Sequence, residues 1–85
     1  MRIDVTQEDI DLGEPCDPLL CPVALAIDRQ LPGSDCEVEY CTIDLEPGMV
    51  FKTPQSVRNF IAAFDEEEPV APFSFDLDIP QPTNG

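Results

Sequence analysis

The sequence predicts a small α+β domain, with helices packed on one face of a single, mainly antiparallel twisted sheet, in the order β-α-α-β-β-α-β. Three observations predict it. Apolar and polar residues alternate near both ends of the chain and again in its middle, which is the period of a strand buried on one face. Val57, Phe60, Ile61 and Phe64 fall at i, i+3, i+4 and i+7, the period of an amphipathic helix. Turn signals rich in Pro and Gly separate these segments.

In chain order, Ile3 and Val5 alternate with Arg2, Asp4 and Thr6 as a short first strand. Thr6 and Asp9 form a capping arrangement that opens a short helix ending near Leu12, with acids toward the positive end of its dipole and Gly13 as its stop. Asp17-Pro18 and Cys21-Pro22 both read as helix entries, a capping side chain followed by proline at the first position. The apolar run Val23 to Ile27 after them is a buried helix, closed by Leu31-Pro32-Gly33.

Val38 and Tyr40 then alternate with Glu37 and Glu39. Ile43 and Leu45 are one residue out of phase with them, and a β-bulge near Cys41-Thr42 would return all four to one face. Glu46-Pro47-Gly48 is a turn from which Met49 to Lys52 returns antiparallel. Thr53-Pro54 repeats the cap-then-proline entry before the amphipathic helix. The acidic run Asp65 to Glu68 ends that helix against its dipole, at ~0.3–1 kcal/mol per exposed charge, and reads as a solvated loop. Phe73, Phe75, Leu77 and Ile79 make the last strand, so residues 1–79 form one domain and 80–85 a flexible tail. The expected inner sheet face holds Ile3, Val5, Val38, Tyr40, Ile43, Phe51, Phe73, Phe75 and Leu77, covered by Val23, Ala24 or Leu25, Ile27, Phe60, Ile61 and Phe64.

The 85 residues carry 4 Lys and Arg against 18 Asp and Glu, with no His, for a net charge of −14. That balance disfavours direct binding to nucleic acid or to an anionic membrane, because both demand basic side chains. A 42% hydrophobic content is nevertheless enough for a core, which separates the chain from a disordered acidic tail. Neither a membrane-length apolar run nor the apolar stretch of a signal peptide is present, and the expected compartment is the cytoplasm.

Catalytic signatures are missing: no histidine base, no nucleophile elbow, no phosphate-cradling glycine loop. The expectation is a protein that is not an enzyme and takes no cofactor. Cys16, Cys21, Cys36 and Cys41 form two pairs with four intervening residues each, at the edge of the spacing of zinc knuckles. A small interaction module stabilised by zinc on these four cysteines is the alternative they support; free, partly buried thiols are the simpler reading. Asp9-Ile10-Asp11-Leu12-Gly13-Glu14 shares acid spacing with a calcium loop but lacks its twelve-residue frame.

The outer sheet face collects acids: Asp4 from the first strand, Glu37, Glu39, Asp44 and Glu46 from the hairpin, Asp76 and Asp78 from the last strand. Alternate strand residues recur every ~6.6 Å and strands lie ~4.8 Å apart, so such a face is a carboxylate array with a charge density of the same order as a DNA strand, one charge per ~3.4 Å. General solubility is the plain explanation for such acids. A docking surface is the sharper one, with Asp4, Glu37, Glu39, Asp44, Asp76 and Asp78 as the contact and Asp65, Glu66, Glu67 and Glu68 as a second acidic lobe.

The segment Ile3 to Ile10, followed by Gly13 and Cys21-Pro22-Val23-Ala24-Leu25-Ala26-Ile27, resembles short acidic bacteriophage-encoded proteins of unassigned function. Pro72-Phe73-Ser74-Phe75 and the helix before it are similar more loosely. The resemblance implies a viral protein acting in a host cell, of the DNA-mimic type that inhibits host defence or repair. The expected partner is then a basic, nucleic-acid-binding host protein such as a CRISPR effector, a restriction enzyme or a DNA-repair enzyme, which makes the chain an anti-CRISPR or anti-restriction candidate.

Overall fold

The computed structural model describes residues 1–45 and 48–77. Among them the chain runs β1 (Arg2–Val5), α1 (Gln7–Leu12), α2 (Pro22–Gln30), β2 (Glu37–Val38), β3 (Thr42–Leu45), β4 (Met49–Lys52), α3 (Gln55–Asp65) and β5 (Phe73–Asp76). The fold is α+β and its strand pairings are all antiparallel. The strands do not join one sheet, however. β1 pairs with β5 as one ribbon, and β2, β3 and β4 form a second, three-stranded sheet.

The division arises at Glu39 to Cys41. Where a bulge would keep one long strand, the chain instead reverses: the Glu39 amide donates to the Thr42 carbonyl at 2.8 Å, and β2 folds back on β3 with Glu37 opposite Asp44 and Val38 opposite Ile43. A tight reversal absorbs the same one-residue phase slip as a bulge, and it carries Tyr40 out of the core. Tyr40 is 49% exposed, against its expected inward place. Phe51 and Phe73 are only half-buried, while the other expected sheet residues are buried.

One core still serves both sheets. Ile3 and Val5 from β1, Val23, Ala24, Ala26 and Ile27 from α2, Val38, Ile43 and Leu45 from the second sheet, and Val57 and Phe60 from α3 pack together with Phe75 and Leu77. Helix α2 packs against both β1 and β2 and so links the two sheets. On the other side, Phe60 meets Phe73 with ring centroids 4.8 Å apart, and Phe73 meets Phe75 at 5.8 Å, which seats α3 on β5. The Met1 nitrogen and carbonyl exchange hydrogen bonds with Leu77 and extend the ribbon by one pair.

The capping expectation at α1 holds. Thr6 Oγ1 accepts from the Asp9 amide, and the Asp9 carboxylate accepts from the Thr6 amide, closing a capping box. Gly13 ends the helix for a different reason than conformational freedom. Its φ is −72°, and a Cβ there would lie 2.6 Å from Pro22 Cδ and Cγ, so the residue is small because α2 begins against it. Of the two proline entries, Cys21-Pro22 starts α2, and Cys21 Sγ accepts from the Ala24 amide at 3.4 Å. Asp17-Pro18 makes a turn instead, with Asp17 Oδ1 accepting from the Leu19 and Leu20 amides. Thr53 does not cap α3. It is buried, its amide donates to the Cys41 carbonyl, and its hydroxyl donates to the Glu39 carbonyl, while Pro54 takes the N-cap position.

The acidic run after α3 is more ordered than a loop. The Glu68 amide donates to the Ala63 carbonyl and the Glu67 amide to the Phe64 carbonyl, the two bonds of a Schellman motif. Glu67 holds the left-handed position at φ 60°, where glycine is usual. The expected turn at Glu46-Pro47, the inward place of Ile79 and the tail 80–85 lie outside the described residues. No helix among the described residues is long and apolar enough to cross a membrane.

Candidate functional site

The acids expected on one sheet face are divided between two places, and the expected second lobe makes a third. The first is the second sheet. Glu37 and Asp44 are directly opposed across β2 and β3, so their side chains leave the same face, away from Val38 and Ile43. The row continues to Val50 on β4, which is 65% exposed, and a neighbouring row pairs Thr42 with Lys52. Glu39 is exposed where the hairpin reverses. This reversal is anchored by three hydrogen bonds: Thr53 donates to the Glu39 and Cys41 carbonyls, and the Val38 amide donates to the Pro18 carbonyl at 2.8 Å. Glu37, Glu39 and Asp44 form no ion pair among the described residues.

The second place is the β1–β5 ribbon, where Arg2 lies opposite Asp76 and Asp4 opposite Ser74. Asp4 is partly committed. The Ser74 hydroxyl donates to it at 2.6 Å and Arg2 Nε at 3.0 Å, and those two bonds hold its carboxyl below the usual carboxylate range. Asp76 is exposed, and Asp78 lies outside the described residues. The third place is the end of α3. Glu66, Glu67 and Glu68 are exposed there, whereas Asp65 is half-buried and accepts from the Cys16 amide at 2.8 Å.

The cations are mostly occupied within the fold. Arg29 Nη2 reaches Asp9 Oδ2 at 2.8 Å and the Asp4 carbonyl at 2.9 Å. Burial works against the charge on Asp9, yet the Arg29 guanidinium and the Thr6 amide and hydroxyl outweigh it, and the carboxyl stays below its ordinary range. Arg58 donates from Nε to the Thr53 carbonyl at 3.1 Å, and its guanidinium carbon sits 5.9 Å from the centre of the Tyr40 ring.

The four cysteines are not gathered into one ligand set. Cys21 and Cys36 are buried, Cys16 and Cys41 exposed, all as free thiols. Cys36 donates to the Ala24 carbonyl at 3.2 Å and to Asp28 Oδ1 at 3.4 Å; burial, with the nearby Asp28 charge, pushes its thiol up to about 12. Burial likewise raises the Cys21 thiol, against the lowering effect of the α2 amides. Among the described residues, no three His, Cys, Asp or Glu side chains converge as metal ligands.

One feature escaped sequence reasoning. A cavity of about 360 Å³ opens between the hairpin, the turn before α2 and the outer side of α3, with Pro18, Val38 and Ile61 in its wall and Glu39, Tyr40 and Asp65 beside them. The only signal for it in the sequence was the phase slip between Tyr40 and Ile43, which is compatible with a bulge as well as with a reversal. Comparison with family models, curated proteins and solved structures finds no match for this chain.

Proposed function

We propose that the protein is a non-enzymatic inhibitor that covers a basic, nucleic-acid-binding surface of a host protein, such as a CRISPR effector, a restriction enzyme or a DNA-repair enzyme. The observation that carries this reading is the opposition of Glu37 and Asp44 across a strand only two residues long. Like charges directly opposed destabilise a sheet, and one of the two residue pairs that define β2–β3 is of this kind. Solubility alone does not call for an acid at that position. A basic partner would relieve the repulsion on docking, and complementary charge would speed its encounter.

In this reading the contact is the hairpin, with Glu37, Glu39 and Asp44 foremost, since the division into two sheets sets the other acids apart from it. Asp76 and the partly neutralised Asp4 form a separate group on the ribbon, and Asp65 to Glu68 form the second lobe. The test is capture from nuclease-treated bacterial lysate on the immobilised protein, followed by a wash with duplex DNA. Nucleic-acid-binding proteins should be retained and then displaced by the DNA. Retention only of neutral or acidic proteins, or retention that DNA does not disturb, would sink the reading.

A further inference from the structure

We propose that the cavity beside Tyr40 receives one arginine side chain of the partner and is the anchoring pocket of the contact. Only the identity of the partner rests on the proposed function; the chemistry of the pocket stands on its own walls. Pro18, Val38 and Ile61 give it an apolar wall of the kind that packs the methylene stem of a long basic side chain. The acidic residues Glu39 and Asp65 are among those that line it. Asp65 is oriented by the Cys16 amide on Oδ1, which leaves Oδ2 without a partner among the described residues. A guanidinium is the cation that suits two carboxylates and an aromatic ring together, being planar, weakly hydrated and rich in directed donors.

Tyr40 supports the same occupant. Half of this aromatic side chain is left in solvent at an anchored hairpin tip, although the fold has apolar area to gain by covering it. Its ring already lies near the guanidinium of Arg58, whose charge the neighbouring acids must offset before a second cation enters. Asp17, Glu39 and Asp65 all line the cavity and outnumber the positive charge of Arg58. Buried arginines and the aromatics they meet are also the residues on which interface energy concentrates.

The test uses the intact protein, labelled with 15N, and a capped glycyl-arginyl-glycine tripeptide, with the citrulline analogue as its neutral isostere. The arginine peptide should shift amides of the cavity wall, Val38 to Tyr40 and Ile61 to Asp65, and leave Glu66, Glu67 and Asp76 nearly unmoved. Citrulline in place of arginine, Ala62→Phe, which fills the exposed cavity opening without altering charge, and Glu39→Gln should each weaken binding by about tenfold. Glu8→Gln, which removes the same charge from an exposed position outside every proposed contact, should not. Shifts spread evenly over all the acids, equal binding of the citrulline peptide, or indifference to Ala62→Phe and Glu39→Gln would each overturn the pocket. None of those results would touch the lysate experiment, and a failed capture would leave the titration standing.

Discussion

At the scale of single residues, the side chains with the most decided environments are structural. Asp9 is nearly buried, closes the cap of α1 and receives Arg29, so it ties α1 to α2. Its carboxyl is depressed relative to the unfolded chain. Its contribution is therefore fully present above the unfolded value of roughly 4 and is lost as pH falls through the lower, folded value. Asp9→Asn should cost about 1–3 kcal/mol at pH 7, and the gap in urea midpoint between variant and parent should narrow from pH 4 to pH 2. A gap that does not change with pH would show that the carboxylate's charge is irrelevant. The thiols divide as sharply. At pH 8, iodoacetamide should modify Cys16 and Cys41 readily in the folded protein, and Cys21 and Cys36 only on unfolding, as read by peptide mass mapping. Fast modification of Cys36 would contradict its burial against Ala24 and Asp28.

At the scale of elements, the chain places charge where it weakens local structure. Glu37 faces Asp44 across β2, and Glu67 occupies the left-handed position of a Schellman motif that closes on three consecutive glutamates. Glu37→Lys would turn the opposed pair into an attractive one and should stabilise the protein by ~0.2–1 kcal/mol, measured by urea denaturation. Glu67→Gly should add roughly 1 kcal/mol by relieving the backbone. Natural proteins commonly leave such stabilising substitutions unmade, so the signature of a functional acid is binding lost together with stability gained. Element type was legible where periodicity and caps agreed: the Thr6–Asp9 box, the Cys21-Pro22 entry and the stripe from Val57 to Phe64 all mark helices that form. Boundaries set by distant partners were not. Gly13 is fixed by Pro22, and Thr53 is drawn from the cap of α3 to the hairpin carbonyls of Glu39 and Cys41. Neither contact has a local signature.

At the scale of the molecule, the α+β class and the shared core were readable because each amphipathic face had a counterpart to cover it. The division into two sheets was not, since a one-residue slip in phase permits both a bulge and a reversal, and only pairing chooses between them. That choice moved Tyr40 from core to surface, opened the cavity beside it and split a continuous acidic face into a hairpin group and a ribbon group. In the proposed function the net charge of −14 acts at long range on association, while the hairpin acts at contact. Two double reversals separate these effects, because Glu37→Lys with Glu39→Lys changes net charge as much as Glu66→Lys with Glu67→Lys. The decisive measurement is the affinity of each pair of variants for a captured nucleic-acid-binding partner, by titration calorimetry, with circular dichroism confirming that both remain folded. The hairpin pair should lose binding by a hundredfold or so, as expected for like charge at a docked face, and the α3 pair by only a few-fold. Equal losses, or a larger loss from Glu66 and Glu67, would contradict the assignment of the hairpin as the binding surface.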